Sequence, residues 1–96
     1  MLAYRIAVVR YRIVVSGRVQ GVFYRASCRQ MAQEHGVNGW VRNLPDGTVE
    51  AVFEGAEDDV DRLVDWSRRG PRAAEVADVR VQAEPPEGLS GFQVRQ

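Results

Sequence analysis

Residues 8–35 read VVRYRIVVSGRVQGVFYRASCRQMAQEH and change from a strand pattern to a helix pattern within one stretch. The first part, residues 8–16, is rich in valine and isoleucine and stops at Gly17, which is typical of a strand that ends in a turn. Its nearly continuous apolar character predicts a central strand buried on both faces. From about residue 23 to residue 35, apolar side chains recur at helical spacing, and Gly36 follows as a left-handed helix stop. The stretch therefore predicts a strand, a short loop with a glycine at each end, and a helix.

The next segment predicts a β-hairpin. Apolar and polar residues alternate over 37–43 and again over 48–54, which indicates a second and a third strand. Between them lies LPDG, residues 44–47, with proline, aspartate and glycine in the order that favours a tight turn. The third strand has valine, alanine and phenylalanine on one side and glutamates on the other.

The remaining residues complete a familiar order of elements. Residues 57–69 predict a second helix, whose acidic first turn and basic last turn, Arg68 and Arg69, both complement the helix dipole. Residues 76–82 predict a fourth strand, and residues 92–95 a short last one. The order β-α-β-β-α-β indicates the α+β class and a ferredoxin-like sandwich, with two helices on one face of a mainly antiparallel sheet. That fold hosts many functions and so fixes none.

The composition excludes several classes of function. A chain of 96 residues with 45% hydrophobic and 27% charged residues is a single globular domain and not a disordered chain. Thirteen basic residues, all of them arginine, balance thirteen acidic ones, which argues against a dedicated nucleic-acid binder. The lack of lysine excludes Schiff-base chemistry and a Walker-type phosphate loop. One cysteine and one histidine exclude an internal disulfide and disfavour a cysteine-rich zinc site or a catalytic triad.

The N-terminal residues do not predict a targeting segment. Arginines interrupt the apolar run in residues 1–15, MLAYRIAVVRYRIVV, and no small-residue cleavage site follows it. No stretch approaches the ~18 apolar residues of a membrane span. We therefore expect a cytoplasmic protein, in which residues 1–8 form an N-terminal extension and residues 9–96 form the folded domain.

The residues with the clearest chemical meaning lie at the first strand-to-helix junction, residues 16–25, SGRVQGVFYR. A glycine-flanked loop that enters a helix leaves backbone N–H groups without intrahelical acceptors, and these can converge on an anion. Arg25 falls in the first helical turn, where a positive charge opposes the helix dipole unless an anion lies between them. Its planar fork of donors also matches phosphate oxygens. The pattern leaves two interpretations open: a phosphate site, or an ordinary junction with a solvated arginine.

Two segments resemble the signature of the acylphosphatase family. They are residues 15–25, VSGRVQGVFYR, and residues 39–50, GWVRNLPDGTVE. Family-like features continue to Gly91-Phe92, so the resemblance covers roughly residues 9–96. It implies an enzyme that hydrolyses acyl phosphates, the mixed anhydrides of a carboxylate and phosphate, and it implies no metal or organic cofactor.

The resemblance also implies roles for individual residues. By that resemblance Arg25 and Asn43 are catalytic, and Asn43 orients the attacking water. The residues whose backbone N–H groups are implied to bind phosphate, together with Arg25, are Arg18, Val19, Gln20, Gly21 and Val22. These roles suit the chemistry, since a carboxylate leaves without a general acid and catalysis can rest on positioning and charge stabilisation. The implied partners are a small-molecule acyl phosphate and inorganic phosphate, without nucleic acid or membrane, and we expect a monomer.

Other functions compete with this one. A non-catalytic module that binds phosphate or carbamoyl phosphate, like the acylphosphatase-like domain of larger carbamoyl-transferring proteins, would belong to a longer chain. An RNA-binding domain of the same topology would need aromatic residues on its central strands, where Tyr11 and Phe53 are the candidates. His35 and Cys28 lie on the apolar stripe of the first helix, so we expect both to pack and not to react.

Overall fold

The computed structural model describes residues 7–96. In chain order the elements are β1 (Val8–Arg18), α1 (Tyr24–Glu34), β2 (Asn38–Asn43), β3 (Val49–Ala56), α2 (Glu57–Ser67), β4 (Glu75–Glu84) and β5 (Phe92–Arg95). Most of the predicted extension, residues 1–6, lies outside the described residues, and Val8 already belongs to β1. Neither helix found in residues 7–96 has the length and apolar character to cross a membrane.

The five strands form one sheet in the order β4-β1-β3-β2-β5. Neighbouring strands are antiparallel except β2 and β5, which are parallel. Helix α1 packs over β2 and β5, and α2 packs over β1 and β3, so the helices lie side by side above one face of the sheet. The predicted ferredoxin-like α+β fold is confirmed, and the short last strand extends the sheet beside β2.

The apolar core fills the space between the helices and this face of the sheet. Alternate residues of the central strands point into it, and Ile13, Ala51 and Phe53 have no exposed surface. Leu63 of α2 and Cys28 of α1 meet them from above and are equally buried. The predicted alternation in β3 and the predicted helix stripes are therefore confirmed, and they decide which way each strand faces.

The opposite face of the sheet carries many charged side chains. The prediction that β1 is a central strand is confirmed, but the prediction that it is buried on both faces is wrong. An apolar core covers β1 on the helix side only, and on the other side Arg12 is half-buried and Val8 exposed. Arg10 is buried there because it is fully paired. Its Nη1 lies 2.6 Å from Glu54 Oε2, and its Nε lies 3.0 Å from Glu84 Oε1.

Helix α2 is shorter than predicted. It ends at Ser67, and Arg68 is the C-cap residue, so Arg68 and Arg69 lie beyond the last turn. Gly70 follows with φ of 66°, and a Cβ at that position would lie 2.8 Å from the ring of Tyr24. Glycine is therefore required both for the turn and for the close approach of α1 to the end of α2.

Candidate active site

The end of β1 sets the direction in which the chain enters α1. The pairing of β1 with β4 is irregular between Ser16 and Gly17, where the register shifts. Gly17 has φ of 117°, and a Cβ there would lie 2.2 Å from the carbonyl oxygen of Glu75. Only glycine fits this approach to the neighbouring backbone. The strand then ends at Arg18, and the chain turns away from the sheet.

The βα loop, residues 19–23, is fixed by two buried side chains and two left-handed residues. Val19 and Val22 point into the core, with 1% and 5% of their surface exposed. Gly21 and Phe23 have φ of 73° and 64°. Valine side chains directed inward leave the polar backbone between them on the outside, where it faces the start of α1.

The backbone amides of this loop have no acceptor in the part of the chain that the structure describes. No hydrogen bond within residues 7–96 is donated by the N–H groups of residues 19–24, and the first amide to find an intrahelical partner is that of Ser27, which bonds to Phe23 O at 3.1 Å. Helix α1 has no side-chain cap and no acidic residue in its first turn. A row of open donors therefore meets the positive end of the helix dipole, which is the arrangement that binds phosphate in many proteins.

The side chain of Gln20 ties the βα loop to the β2–β3 turn. Its Nε2 donates to Leu44 O at 2.8 Å and to Thr48 O at 2.9 Å. These two carbonyls close the turn that directly follows Asn43, so the loop and the end of β2 are held at a fixed spacing. The family resemblance implied a backbone role for Gln20. The sequence gave no signal for this side-chain role, because the acceptors lie 24 and 28 residues away.

Arg25 lies in the first turn of α1 and is half-buried. No carboxylate among residues 7–96 forms an ion pair with it. The start of its helix is anchored by the preceding residue. Tyr24 donates its hydroxyl to Ser67 O at 2.8 Å, and its ring packs against Trp66. The guanidinium is therefore held on a fixed helix end and remains available to an anion.

Asn43 is the last residue of β2 and pairs with Val49 of β3. It follows Gly39 and Val41 on the helix side of the sheet, as the alternation predicts. Its Oδ1 is buried and has no hydrogen-bond partner. All other buried side-chain oxygens and nitrogens of residues 7–96 have one. An unpaired buried acceptor costs about 1–3 kcal/mol, and such an atom in a native protein calls for an external donor.

One cavity brings these groups together. It has a volume of about 570 Å³, is partly open to solvent and extends along α1 as far as Gln33. Its lining residues come from the βα loop, from α1 and from the ends of β2 and β5: Val19, Gly21, Phe23, Tyr24, Arg25, Ala26, Arg29, Gln30, Gln33, Asn43 and Val94. Asn43 and Arg25, which the family resemblance singled out, thus share one cavity with the loop.

Three residues of the implied set do not line the cavity. Arg18 still belongs to β1, where it pairs with Glu75 of β4. Gln20 directs its side chain to the β2–β3 turn, and the side chain of Val22 is in the core. For Gln20 and Val22 the side chains are engaged elsewhere, so the backbone is the part that faces a ligand in the loop.

The other reactive side chains lie elsewhere. Cys28 is fully buried, and burial raises the pKa of its thiol, so the nucleophilic thiolate is disfavoured. His35 is the half-buried C-cap residue of α1 and does not line the cavity. The described residues contain no cluster of three or more histidine, cysteine, aspartate or glutamate side chains that could hold a metal ion.

Within residues 7–96 the aromatic side chains do not form an exposed stacking surface on the sheet. Phe53 is buried beneath the helices, and Tyr11 packs against the same core. On the opposite face the guanidinium groups of Arg42 and Arg95 cover the ring of Trp40, at 5.2 and 4.8 Å from its centre. No observation therefore favours the RNA-binding alternative.

Comparison with known proteins gives a consistent assignment. Residues 11–94 match the family model described as acylphosphatase. The acylphosphatase of Haloarcula marismortui is 58% identical over 86 residues, which make up 90% of this chain and 94% of that protein.

Solved structures show the same likeness in three dimensions. An acylphosphatase from Coxiella burnetii is 41% identical and superimposes with a TM-score of 0.88 over 92% of this chain and 93% of that one. The HypF protein of T. kodakarensis is 32% identical over a region that spans 92% of this chain but 12% of its own, with a TM-score of 0.79. The match to the family model and the near full-length identity to a relative place this chain in the acylphosphatase family.

Proposed function

We propose that this chain hydrolyses acyl phosphates with the phosphoryl group bound by the βα loop and Arg25, while Asn43 orients the attacking water. The reaction follows from membership of the family, and the roles of the residues, which the family resemblance implies, are supported by the geometry of the site. The observation that carries the proposal is the buried, unpartnered Oδ1 of Asn43, which lines the same cavity as the open loop and Arg25.

The binding step uses the loop and the helix. The open N–H groups of residues 19–22 and the dipole of α1 supply fixed donors to the phosphoryl oxygens. Arg25 adds a full positive charge and two parallel donors. In phosphoryl transfer the charge spreads over three equatorial oxygens, so donors that are already oriented stabilise the transition state without reorganising.

The hydrolytic step needs only a well-placed water. The Oδ1 atom of Asn43 accepts a hydrogen bond from the water and aims its oxygen at phosphorus, in line with the bond to the acyl oxygen. As the water oxygen bonds to phosphorus, the phosphorus–acyl oxygen bond breaks and its electron pair leaves with the carboxylate. The products are a carboxylate and inorganic phosphate, and a proton of the water passes to the phosphate or to solvent. Because the leaving group is a weak base, no general acid is required.

The test is the hydrolysis of benzoyl phosphate at neutral pH in the presence of EDTA. The wild type should turn the substrate over, and Asn43→Ala should reduce kcat by about 10²–10³-fold while inhibition by inorganic phosphate changes little. The matched control is Asn38→Ala, since Asn38 lies on the same strand and its Oδ1 is already occupied by Gly91 N at 2.9 Å. A loss of phosphate binding with turnover preserved would contradict the role of Asn43.

Arg25→Ala should cost at least as much in kcat/KM and should also weaken inhibition by phosphate. The melting temperature should stay close to that of the wild type, because Arg25 has no ion-pair partner within residues 7–96. The control for removal of a surface arginine is Arg62→Ala on α2, since within residues 7–96 the exposed side chain of Arg62 pairs with Asp59 alone. Retained activity in Arg25→Ala would remove Arg25 from the site.

A further inference from the structure

We infer that the cavity contains a second subsite, in which Phe23 and Val94 form apolar walls around the acyl group, so that the enzyme prefers aromatic and other apolar acyl phosphates. This inference rests on the proposed function. It adds a specificity-determining pair to residues that bind the phosphoryl group and the water.

Phe23 is in an unusual conformation. Its φ of 64° makes it the only residue other than glycine with a positive φ in the described part of the chain. A bulky residue in this region is strained, and such strain persists where the surrounding structure or a function maintains it. In this conformation the ring lies outside the core: Phe23 is 81% exposed, whereas its neighbours Val22 and Tyr24 are buried.

The exposed ring lines the cavity directly beside the phosphate-binding backbone. Phe23 is the last residue of the βα loop, and Arg25 follows two residues later on α1. A substrate whose phosphoryl group lies on the loop therefore has its acyl group within reach of this ring. An apolar acyl group would cover surface that is otherwise exposed to water, which is favourable.

Val94 provides the second wall from a different element. Val94 lies on β5 and pairs with Val41 of β2, which is two residues before Asn43. The side chains of Val94 and Val41 therefore lie on the same face of the sheet, the one covered by the helices. Val94 is 40% exposed and lines the same cavity as Phe23. Two of the four large hydrophobic residues that are exposed within residues 7–96 thus meet at one site.

Between these walls the lining is set by one side of α1. Ala26 is small, and Gln30 and Gln33 are neutral, so nothing charged faces the acyl group from those positions. Besides Arg25, the cavity lining has one charged side chain, that of Arg29, one helical turn further along α1. It supports a competing interpretation, in which the acyl group of the substrate carries a second negative charge. The apolar assignment and the charged one make opposite predictions about which substitution changes selectivity.

The experiment measures kcat/KM for benzoyl phosphate and for acetyl phosphate, in wild type, Phe23→Asn and Val94→Ala. Asparagine tolerates the left-handed conformation, so Phe23→Asn removes the ring while the loop keeps its path. We expect the ratio of benzoyl to acetyl kcat/KM to fall about ten-fold in Phe23→Asn and by less in Val94→Ala. Inhibition by inorganic phosphate should stay within about two-fold of wild type, because the phosphoryl group is bound by the backbone N–H groups of residues 19–22 and by Arg25 and not by the Phe23 ring.

Val81→Ala is the matched control. Val81 is 41% exposed, like Val94, but it lies on β4 at the far edge of the sheet and does not line the cavity. If the ratio of benzoyl to acetyl kcat/KM is unchanged in both Phe23→Asn and Val94→Ala, the apolar subsite is overturned. A shift of that ratio in Arg29→Gln alone would in addition assign the acyl side to a second anion. In both cases each substrate would still be hydrolysed. A wild type that hydrolyses neither substrate would instead refute the proposed function, and the subsite with it.

Discussion

Two loops of this molecule present backbone amides and an arginine to an anion, and they differ in where the anion comes from. The β4–β5 loop, residues 85–91, donates the N–H groups of residues 87–89 to the carboxylate of Glu54, at 2.9, 3.0 and 3.0 Å. Arg10 completes that arrangement from β1. The βα loop has the same kind of donors and Arg25, but no carboxylate of residues 7–96 reaches them. The donors of the β4–β5 loop thus have an acceptor within the chain, whereas those of the βα loop face a cavity.

The comparison teaches that donors alone do not mark a binding site. Both loops are glycine-containing, and both lie beside a strand end. What separates them is the partner: Glu54 is 2% exposed and fully hydrogen-bonded, whereas Asn43 beside the open loop has a buried acceptor without a donor. Ligand binding is expected where polar groups of a rigid frame remain unpaired.

The largest effect on stability is expected when the negative charge of Glu54, the internal anion of the β4–β5 loop, is removed. Glu54→Gln keeps the shape of the side chain but leaves Arg10 buried without its closest carboxylate, 2.6 Å away. Breaking one side of a buried ion pair typically costs about 3–5 kcal/mol. Because Arg10 keeps the carboxylate of Glu84 at 3.0 Å, we expect the free energy of unfolding to fall by the lower end of that range. Denaturant unfolding would measure it, and the folded variant should keep its kcat.

Glu87→Gln is the control for this substitution. The Glu87 side chain also contacts Arg10, at 3.0 Å, but it is 62% exposed. Exposed ion pairs contribute about 0–1 kcal/mol, so its removal should be nearly neutral. If both variants lost the same small amount, the β4–β5 loop would not depend on its internal anion, and the contrast between the two loops would have no energetic meaning.

A smaller effect is expected where the open loop is held in place. Gln20→Glu replaces the amide that bonds to Leu44 O and Thr48 O with an oxygen that repels both carbonyls. Losing a buried donor costs on the order of 1–3 kcal/mol, and we expect about a ten-fold fall in kcat as the loop and Asn43 lose their spacing.

The same variant separates positioning from simple destabilisation. At temperatures well below its melting point, Gln20→Glu should lower kcat for benzoyl phosphate more than it weakens inhibition by phosphate. Gln82→Glu on the exposed part of β4 introduces the same charge away from the cavity and should change neither value. A variant that melts earlier but has wild-type kcat when folded would show that Gln20 only supports the fold.

Sequence patterns predicted the frame of this molecule well because the frame depends on local alternation. The strand and helix stripes and the LPDG turn all lie within short windows, and each was confirmed. The prediction that β1 is buried on both faces failed because the partners of its arginines are distant in sequence. Arg10 and Arg12 interrupt its apolar run, and their partners Glu54 and Glu84 lie on other strands, more than 40 residues away.

The site divides in the same way. The glycine-flanked loop and Arg25 were visible as a pattern, since they lie within ten residues of one another. The place of Asn43 in the same cavity, the double hydrogen bond of Gln20 and the acyl walls depend on strand order and could be found only in three dimensions. A local sequence pattern indicates which hydrogen-bond donors are present. Which of these donors already have acceptors depends on the tertiary structure.

The groups around Glu54 also determine how its carboxyl titrates. Burial by itself would raise the pKa of Glu54, but the N–H of Glu87, the guanidinium of Arg10 and the N–H of Leu89 outweigh burial and hold that pKa below its ordinary value of 4.5. All of these donors stabilise the ionised form. The internal anion is therefore kept as an anion by the same donors that it organises.

The smallest predicted effect follows from that titration. Because the folded state lowers the pKa of Glu54, the carboxylate stabilises the fold at pH values above the ordinary carboxyl range, and this stabilisation is lost as the pH falls through the lowered value. Denaturant unfolding between pH 7 and pH 3 should show the free energy of unfolding decreasing on the acid side, and decreasing less in Glu54→Gln, which has no proton to bind there. Glu84 and Asp46, whose pKa values are also lowered by hydrogen bonds, should cause the acid loss that remains in the variant. Parallel pH curves for the two proteins would contradict a pKa of Glu54 that folding lowers, whereas curves that converge at low pH would assign the difference to the carboxylate that this chain supplies to its own amides.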